Sequence, residues 1–252
     1  MMRNITKETV PTQDYLVEEW SENTSDYNGV SFVAPVYHKR ENGFVIGVLD
    51  ASVNSHLMDS EMINAKSIVK FKELIANYIP RKAAHLWAEE FYTRGVPFHH
   101  RNPLLAAAFV EADTTTGTAE FHRAADAQIW MKSKDVWSNV FPEHMLTTKG
   151  MRVLATVKRK TPKDWWTWQE ENLDDLSLWR YPLIGLTPHP VFVVKRFKLE
   201  DIQEIVVATS SALITKENVE TLDNWLDVSI KEVDNLPKRY SSNNIAAVRL
   251  SF

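Results

Sequence analysis

One short apolar run in this sequence ends on an acid, and it constrains the fold more than any other stretch. Residues 44–52 read F-V-I-G-V-L-D-A-S. The first six are rich in β-branched and aromatic side chains, which predicts a buried strand. Asp50 follows where that strand would leave the core, and a carboxylate held at a strand end beside a tight turn suits a cation. The commoner role of a single aspartate at such a place is to cap a turn or a helix.

The composition limits the class of protein. A chain of 252 residues can bury one large core, and 44% hydrophobic with 25% charged residues is ordinary for a globular protein. The formal net charge of -4 disfavours a general binder of nucleic acids or anionic membranes. The absence of cysteine excludes disulfides and thiolate metal sites. No run approaches the roughly 20 apolar residues of a membrane span and no apolar signal core is present, so we expect a cytoplasmic protein.

The N-terminal part of the chain predicts a hairpin. Residues 1–13 are polar and are expected to form a loose start, whereas residues 14–20 alternate weakly, as an edge strand would. Residues 30–37 and 44–49 predict two paired strands. Pro35 restricts the first of them to a sheet edge or a bulge, because proline has no backbone N–H to donate.

The rest of the chain alternates between helical and extended patterns. Apolar residues at helical spacing predict helices over 57–79, 82–94 and 216–233. Residues 151–158 fit either a helix or a strand, and residues 163–178 predict a mixed, mainly helical segment. Further strands are predicted over 104–112, 118–125, 127–132, 136–141, 191–197, 202–209 and 245–252.

This order of elements predicts a single domain, residues 1–252, of the α+β class. Helices grouped between runs of antiparallel strands argue against a repeated β-α-β unit. Two antiparallel sheets packed face to face, with helices outside, would bury both faces of each sheet. The sequence has no internal repeat, low-complexity tract or linker that would divide it.

Four short segments carry a resemblance to a known family. They are Ser25-Asp26, V-L-D-A-S at 48–52, A-A-D-A-Q-I-W at 124–130, and a C-terminal pair formed by I-V-V-A-T-S-S-A-L at 205–213 and S-S-N-N-I-A-A-V-R-L at 241–250. In that order and spacing they resemble the Glu-Asp, Asp-Gly, Gly-Asp-Ser-Arg, Ser-Asp-Gly-Leu and Asp-Asn motifs of the type 2C metal-dependent protein phosphatases, which remove phosphate from serine and threonine. The resemblance runs from about residue 15 to 250 and implies an α-β-β-α sandwich of two antiparallel sheets flanked by helices.

The resemblance also implies a metal site. Two Mn²⁺ or Mg²⁺ ions would lower the pKa of a bridging water and clamp the phosphate. The metal-binding positions of the family fall on Asp26, Asp50, Ala51 and Asn243, and Asp126 matches a further acid that the family keeps. A turn between two strands is an equally good reason for an aspartate at 126.

Several of these positions depart from the family pattern. Ser25 and Ser211 replace family acids, Asn243 replaces the closing aspartate, and the phosphate-binding arginine would fall near Ser21. Ala51 replaces a glycine, and its Cβ disfavours the positive φ that glycine allows. The two ligand acids that remain, Asp26 and Asp50, neutralise a pair of divalent cations poorly. We therefore expect one weakly bound Mn or Mg ion or none.

Other residues near the motifs could compensate or bind ligands themselves. Glu22, Asp59 and Glu61 are candidate replacement ligands. Residues 99–101, His-His-Arg, could bind phosphate or metal, but adjacent histidines point in opposite directions on a strand, which favours a loop without a ligand role. His189 lies between prolines and is expected to be structural.

Two functions remain open, and we favour the first. A non-catalytic phosphatase-fold protein would bind a protein partner through the former active-site face or the tryptophan-rich segment 165–179, and the lost acids and arginine favour this hypothesis. A divergent Mn- or Mg-dependent enzyme would act on phosphoserine or phosphothreonine in proteins, and Asp26, Asp50 and Asp126 favour it. An amino-terminal nucleophile hydrolase would need a freed nucleophile, which the start M-M-R does not offer. The sequence has neither a G-x-S-x-G motif nor a glycine-rich phosphate loop.

Overall fold

The computed structural model describes most of the chain. The described residues are 2–10, 13–22, 33–52, 60–91, 104–156, 172, 175–185, 189–210, 214, 216, 219–221 and 245–252. The strands and α-helices in these ranges are, in chain order, β1 (Met2–Val10), β2 (Gln13–Glu22), β3 (Val33–Arg40), β4 (Gly43–Ser52), α1 (Ser60–Asn77), α2 (Pro80–Phe91), β5 (Leu104–Asp113), β6 (Thr118–Ala124), β7 (Gln128–Ser133), β8 (Val136–Asn139), α3 (Thr148–Ala155), β9 (Val193–Lys198), β10 (Glu204–Ala208) and β11 (Ile245–Ser251).

The strands form two antiparallel sheets, which confirms the predicted α+β architecture. The first sheet has the order β1-β2-β11-β10-β7-β8 and the second the order β3-β4-β5-β6-β9. The predicted hairpin is present, with β3 paired to β4 from Arg40↔Gly43 to Val33↔Asp50. Pro35 lies on β3 at an edge of its sheet, as expected for a residue that cannot donate to a ladder.

The main core lies between the two sheets. Because successive strand residues point to opposite faces, Phe44, Ile46 and Val48 of β4 pack into this core, together with Val17 of β2 and Phe121 of β6. Asp50 shares the parity of the first three residues. Its side chain therefore lies on the inner face of the sheet, at the end of β4.

Helices α1 and α2 cover the outer face of the five-stranded sheet. Phe71 of α1 stacks on Phe109 of β5 with ring centroids 5.6 Å apart. Trp87 of α2 is fully buried, and its Nε1 donates to the Ser67 carbonyl of α1 at 3.0 Å. Arg40 of β3 donates to the Ile75 carbonyl near the end of α1, which links that helix to the sheet. Within the helical apolar patterns of the sequence, Ile68, Ile75 and Trp87 are buried, whereas Val69 and Ile79 are exposed.

The outer face of the six-stranded sheet carries a second apolar cluster, which includes the buried tryptophans Trp20, Trp130 and Trp137. The helix predicted over 216–233 lies almost wholly outside the described residues. Of the mixed segment predicted over 163–178, residues 172 and 175–178 are described, and Leu176–Leu178 form a 3-10 helix. Within the described part of the chain, no helix is long and apolar enough to cross a membrane.

Two predictions at the N-terminus are wrong. Residues 2–10 form β1 and do not belong to a loose start, and β2 is an interior strand of its sheet, between β1 and β11. The sequence of β1 is polar and carries little hydrophobic signal. The strand forms because it pairs with β2 along its whole length. Farther along the chain, the undecided segment 151–158 overlaps α3, whose N-cap Thr147 accepts a hydrogen bond from the Gly150 amide.

Candidate functional site

The segments that carry the resemblance are connected to strand ends that meet at one end of the sandwich. In the six-stranded sheet Glu22 pairs with Ile245, and Ala208 pairs with Gln128, so the end of β2, the start of β11, the end of β10 and the start of β7 lie together. The three-residue turn 125–127 joins β6 to β7 and therefore brings the corresponding end of the five-stranded sheet to the same place.

A buried threonine fixes two of these strand ends. Thr209 follows β10, and its hydroxyl lies 3.2 Å from the amide nitrogen of Ala246, from which it accepts a hydrogen bond. The Thr209 backbone amide donates to the Ala246 carbonyl at 3.0 Å. These bonds hold the end of β10 against β11 immediately before Ser210.

Asp50 lies at this end of the sandwich. The residue keeps some accessible surface, but its carboxyl group is densely surrounded by protein, and burial raises its pKa well above the usual range. The charge of Asp126 raises the pKa further. The charges of Asp50 and Asp126 therefore interact, although Asp50 lies near the end of β4 and Asp126 lies 76 positions later, in the turn that joins the two sheets.

The backbone at Asp50 differs from the expected one. β4 continues to Ser52, and Ala51 is 3% exposed, paired with Leu105 in the ladder. The predicted tight turn directly after Asp50 is therefore wrong. Ala51 is not among the residues with positive φ, so an alanine in place of glycine introduces no strain there.

The strained turn lies instead next to Asp126. Ala125 has φ +60°, a left-handed conformation that costs a residue with a Cβ about 1 to 2 kcal/mol. This alanine is fully buried between the sheets. A glycine stands at the corresponding place in the family motif, and Ala125 adopts the left-handed conformation that glycine adopts without strain.

Arg123 lies beside this turn and is 6% exposed. Its Nε donates to the Ala125 carbonyl at 2.9 Å, and its Nη1 donates to the carbonyls of Phe141 at 2.6 Å and Glu143 at 3.3 Å. The guanidinium lies over the Tyr181 ring, 4.2 Å from the centroid. Sequence reasoning missed this residue. The only signal was a cation on the face of β6 that also carries the apolar residues Ala119 and Phe121.

Residues 140–145 lie beside the Asp126 turn, because Arg123 binds both and the Asp126 charge acts on His144. We call this segment the wall of the site, and side chains from other elements hold it. Lys195 Nζ donates to the Val140 carbonyl at 2.6 Å, and the Tyr181 hydroxyl donates to the Glu143 carboxylate at 2.9 Å. Burial and that hydrogen bond raise the pKa of Tyr181 to about 12, so Tyr181 stays a donor. His144 Nδ1 accepts from the Leu146 amide at 3.1 Å, which leaves the proton of the neutral ring on Nε2. Burial and the Arg123 charge lower the pKa of His144.

The remaining candidate positions lie outside the described residues or contribute no described side chain. Asp26, Asn243, Ser25, Ser211, Asp59 and residues 99–101 fall outside, and only the backbone of Glu22 and Glu61 is described. His189 stacks on His85 of α2, with centroids 5.6 Å apart, away from Asp50.

The described donors fit one hard cation better than two. Asp50 and Asp126 are oxygen ligands whose mutual repulsion a divalent ion would relieve. Among the described residues, no group of three or more histidine, aspartate or glutamate side chains is arranged to hold a metal ion. Arg123 supplies a fixed positive charge close to Asp126, which further disfavours a second cation.

Comparisons with known proteins define the class of fold. No protein-family profile matches the sequence, and no curated protein matches it. Solved structures do. A serine/threonine phosphatase from S. agalactiae shares 10% identity at a TM-score of 0.61, with 94% of this chain and 99% of that chain covered. RsbX, solved in complex with magnesium, shares 8% identity at a TM-score of 0.59, with 98% and 99% covered.

The serine/threonine phosphatase Stp1 from Staphylococcus aureus gives the same result, with 8% identity, a TM-score of 0.58 and 94% of each chain covered. The chain therefore has the fold of the type 2C phosphatases over nearly its whole length, which confirms the architecture implied by the four segments. At these identities the likeness establishes the fold and leaves activity to the residues of the site.

Proposed function

We propose that this chain is a type 2C phosphatase-fold protein that does not hydrolyse phosphate esters and acts by binding a protein partner in the cytoplasm. The observation that carries the proposal is the donor set at the convergent strand ends. Asp50 and Asp126 interact there and the sequence keeps a third acid, Asp26, whereas Ser25, Ser211 and Asn243 stand at positions where the family has acids.

The chemistry of phosphate hydrolysis explains why this donor set matters. A pair of divalent ions can activate a water and neutralise the phosphate only if enough anionic oxygen ligands hold both ions. The acids that remain at these positions, Asp26, Asp50 and Asp126, meet that need for one ion and not for two. One bound Mn²⁺ or Mg²⁺ would neutralise the carboxylate pair and stabilise the site without forming a binuclear centre.

The two cations described beside this turn, Arg123 and Lys195, do not replace the phosphate-binding arginine of the family. Arg123 is buried, and its described hydrogen bonds go to backbone carbonyls. Lys195 donates to the Val140 carbonyl. Both side chains support the wall of the site, which suits a preformed binding surface.

A metal-dependent phosphatase with rearranged ligands is the second candidate, because Asp50 and Asp126 are close enough for their charges to interact. Hydrolysis of p-nitrophenyl phosphate and of a phosphothreonine peptide, with excess Mn²⁺, separates the two. We expect the same background rate for the wild-type protein and Asp50→Ala. Metal-dependent turnover that Asp50→Ala abolishes would contradict the proposal.

A restored variant provides the positive control. Ser25→Glu, Ser211→Asp and Asn243→Asp, combined in one chain, return the three acids to their family positions. If loss of ligands is what prevents catalysis, the restored chain should bind Mn²⁺ more tightly than the wild type. A wild-type protein that already binds two Mn²⁺ ions per chain would contradict the proposed donor count.

A further inference from the structure

Arg123 reaches the core between the sheets from β6. It has the same strand parity as Ala119 and Phe121, which belong to that core, so its charged side chain enters a largely apolar space. A buried cation needs fixed partners. Its partners are the Ala125 carbonyl on one side and the carbonyls of Phe141 and Glu143 on the other.

The first of these partners controls the direction of Asp126. The Ala125 carbonyl belongs to the peptide that joins Ala125 to Asp126, and that peptide follows a residue held at φ +60°. An alanine in this conformation relaxes readily to negative φ unless its surroundings hold it. Such a change would rotate the peptide and displace the Asp126 carboxylate, whose charge acts on Asp50.

The remaining partners extend the same contact to the wall of the site. Through Nη1, Arg123 binds two carbonyls of residues 141–143, and through its ring contact it binds Tyr181, whose hydroxyl reaches the Glu143 carboxylate. One guanidinium therefore joins the turn that carries Asp126 to the segment that borders it.

We propose that Arg123 is a positioning residue that fixes the Ala125–Asp126 peptide so that Asp126 stays beside Asp50, and that it couples this carboxylate pair to residues 141–143. The inference rests on the single-cation site of the proposed function, and it is independent of whether the chain hydrolyses phosphate.

The positioning role predicts that loss of Arg123 weakens cation binding, and a purely electrostatic role predicts the opposite. If Arg123 acted only by its charge, its loss would strengthen cation binding, because a positive charge near Asp126 would be removed. Arg123→Lys keeps the charge but cannot span the Ala125 and Phe141 carbonyls with one planar fork. Arg123→Gln removes the charge and keeps one short amide donor. The two substitutions separate position from charge.

The test measures the affinity of the full-length protein for Mn²⁺ by the electron paramagnetic resonance signal of the free ion, with Asp50→Ala as the baseline. Positioning predicts that Arg123→Lys and Arg123→Gln both weaken Mn²⁺ binding by about 10-fold, as is typical when an outer partner of a ligand is lost. Ala125→Gly in the Arg123→Lys background should recover most of the loss, because glycine adopts positive φ without the arginine.

Arg196→Met is the matched control, since it removes an exposed cation of β9 that pairs with Glu120 and leaves the turn untouched. It should bind Mn²⁺ as the wild type does. The proposal is overturned if Arg123→Lys binds Mn²⁺ with wild-type affinity, if Arg123→Gln binds it more tightly, if Arg196→Met loses as much, or if the wild type binds none above the Asp50→Ala baseline. Phosphatase turnover by the wild type would overturn only the non-catalytic function. Should Arg123→Lys fail to fold, Arg123→Gln decides.

Discussion

The guanidinium of Arg249 on β11 contacts the carboxylate of Glu204 on β10, with Nε 2.9 Å from Oε2. Lys132 of β7 approaches the other carboxylate oxygen at 3.2 Å, so one acid joins three neighbouring strands of the six-stranded sheet. Burial alone would raise the pKa of Glu204, but the hydrogen bonds and charges of Arg249 and Lys132 outweigh it, and the pKa lies below its usual value.

Glu204→Gln should therefore lower the free energy of unfolding by about 2 kcal/mol at neutral pH. It removes the carboxylate that binds Arg249 and leaves Lys132 with the more distant Glu220 carboxylate, at 3.9 Å. A lowered folded-state pKa stabilises the protein above the unfolded-state pKa, and that contribution is lost as the pH falls through the folded-state value. The difference between wild type and variant should shrink on acidification, as measured by urea unfolding. The control is Glu200→Gln, an exposed ion pair with Lys198, which should change stability by less than about 0.5 kcal/mol.

His122 predicts a second dependence of the free energy of unfolding on pH. It is 1% exposed, both ring nitrogens lack a hydrogen-bond partner, and burial lowers its pKa to about 4. The unfolded chain takes up the proton more readily, so stability is complete above the unfolded-state pKa of about 6.5 and falls as the pH drops towards the folded-state value. His122→Leu should remove this loss, which amounts to about 3 kcal/mol at most.

Urea titrations at several pH values between these two pKa values measure that slope. His85→Leu is the control because it leaves His122 in place, and it should keep the acid dependence of the wild type. An unchanged slope in His122→Leu would show that another group carries the acid sensitivity. At neutral pH the leucine should not destabilise the protein, because it replaces a buried ring with unsatisfied nitrogens by an apolar side chain.

The strands and helices could be predicted from the sequence where hydrophobic periodicity was strong. β4 is an example, because Phe44 and Val45 begin an apolar run that packs on both faces of the sheet. β1 could not be predicted, because its residues are polar and its conformation depends on pairing with β2. The left-handed turn at Ala125 also carries no sequence signal, since alanine rarely adopts positive φ.

The candidate site was predictable only in part. Asp50 stands out as an acid that ends an apolar run, and Asp126 was found through the resemblance. Their proximity depends on how β6 passes to β7 between the sheets, which periodicity does not specify. The role of Arg123 depends on carbonyls of residues 125, 141 and 143, which are backbone groups and leave no trace in a sequence pattern.

Gly47 predicts a steric limit in the five-stranded sheet. A Cβ at this position would lie 2.2 Å from Phe109 Cδ1 and 2.5 Å from the Ala108 carbonyl oxygen, so a backbone atom would have to move. Gly47→Ala should destabilise the protein by about 3 kcal/mol through overpacking. Gly117→Ala is the comparison, because Gly117 has φ +64° and open space around its Cβ position. It should cost only about 1 kcal/mol, through backbone strain. Equal losses in urea unfolding would contradict the steric argument.

Asp50 predicts a gain in stability when the candidate site is removed. Its carboxyl group is enclosed by protein and repelled by Asp126, so the ionised form is unfavourable in the folded state at neutral pH. Asp50→Asn keeps the shape and removes the charge, and it should raise the free energy of unfolding by about 1 kcal/mol, measured by urea unfolding in the presence of a chelator.

Asp113→Asn is the control, and it should lower the free energy of unfolding. The Asp113 carboxylate accepts hydrogen bonds from the amides of Thr115 and Thr116 at 2.8 and 3.2 Å, and its loss should destabilise the turn. Added Mn²⁺ should make the wild type more stable than Asp50→Asn, because an ion bound between two carboxylates stabilises the wild type and not the variant. A less stable Asp50→Asn protein without metal would show that this carboxylate is retained for the fold and not for a ligand.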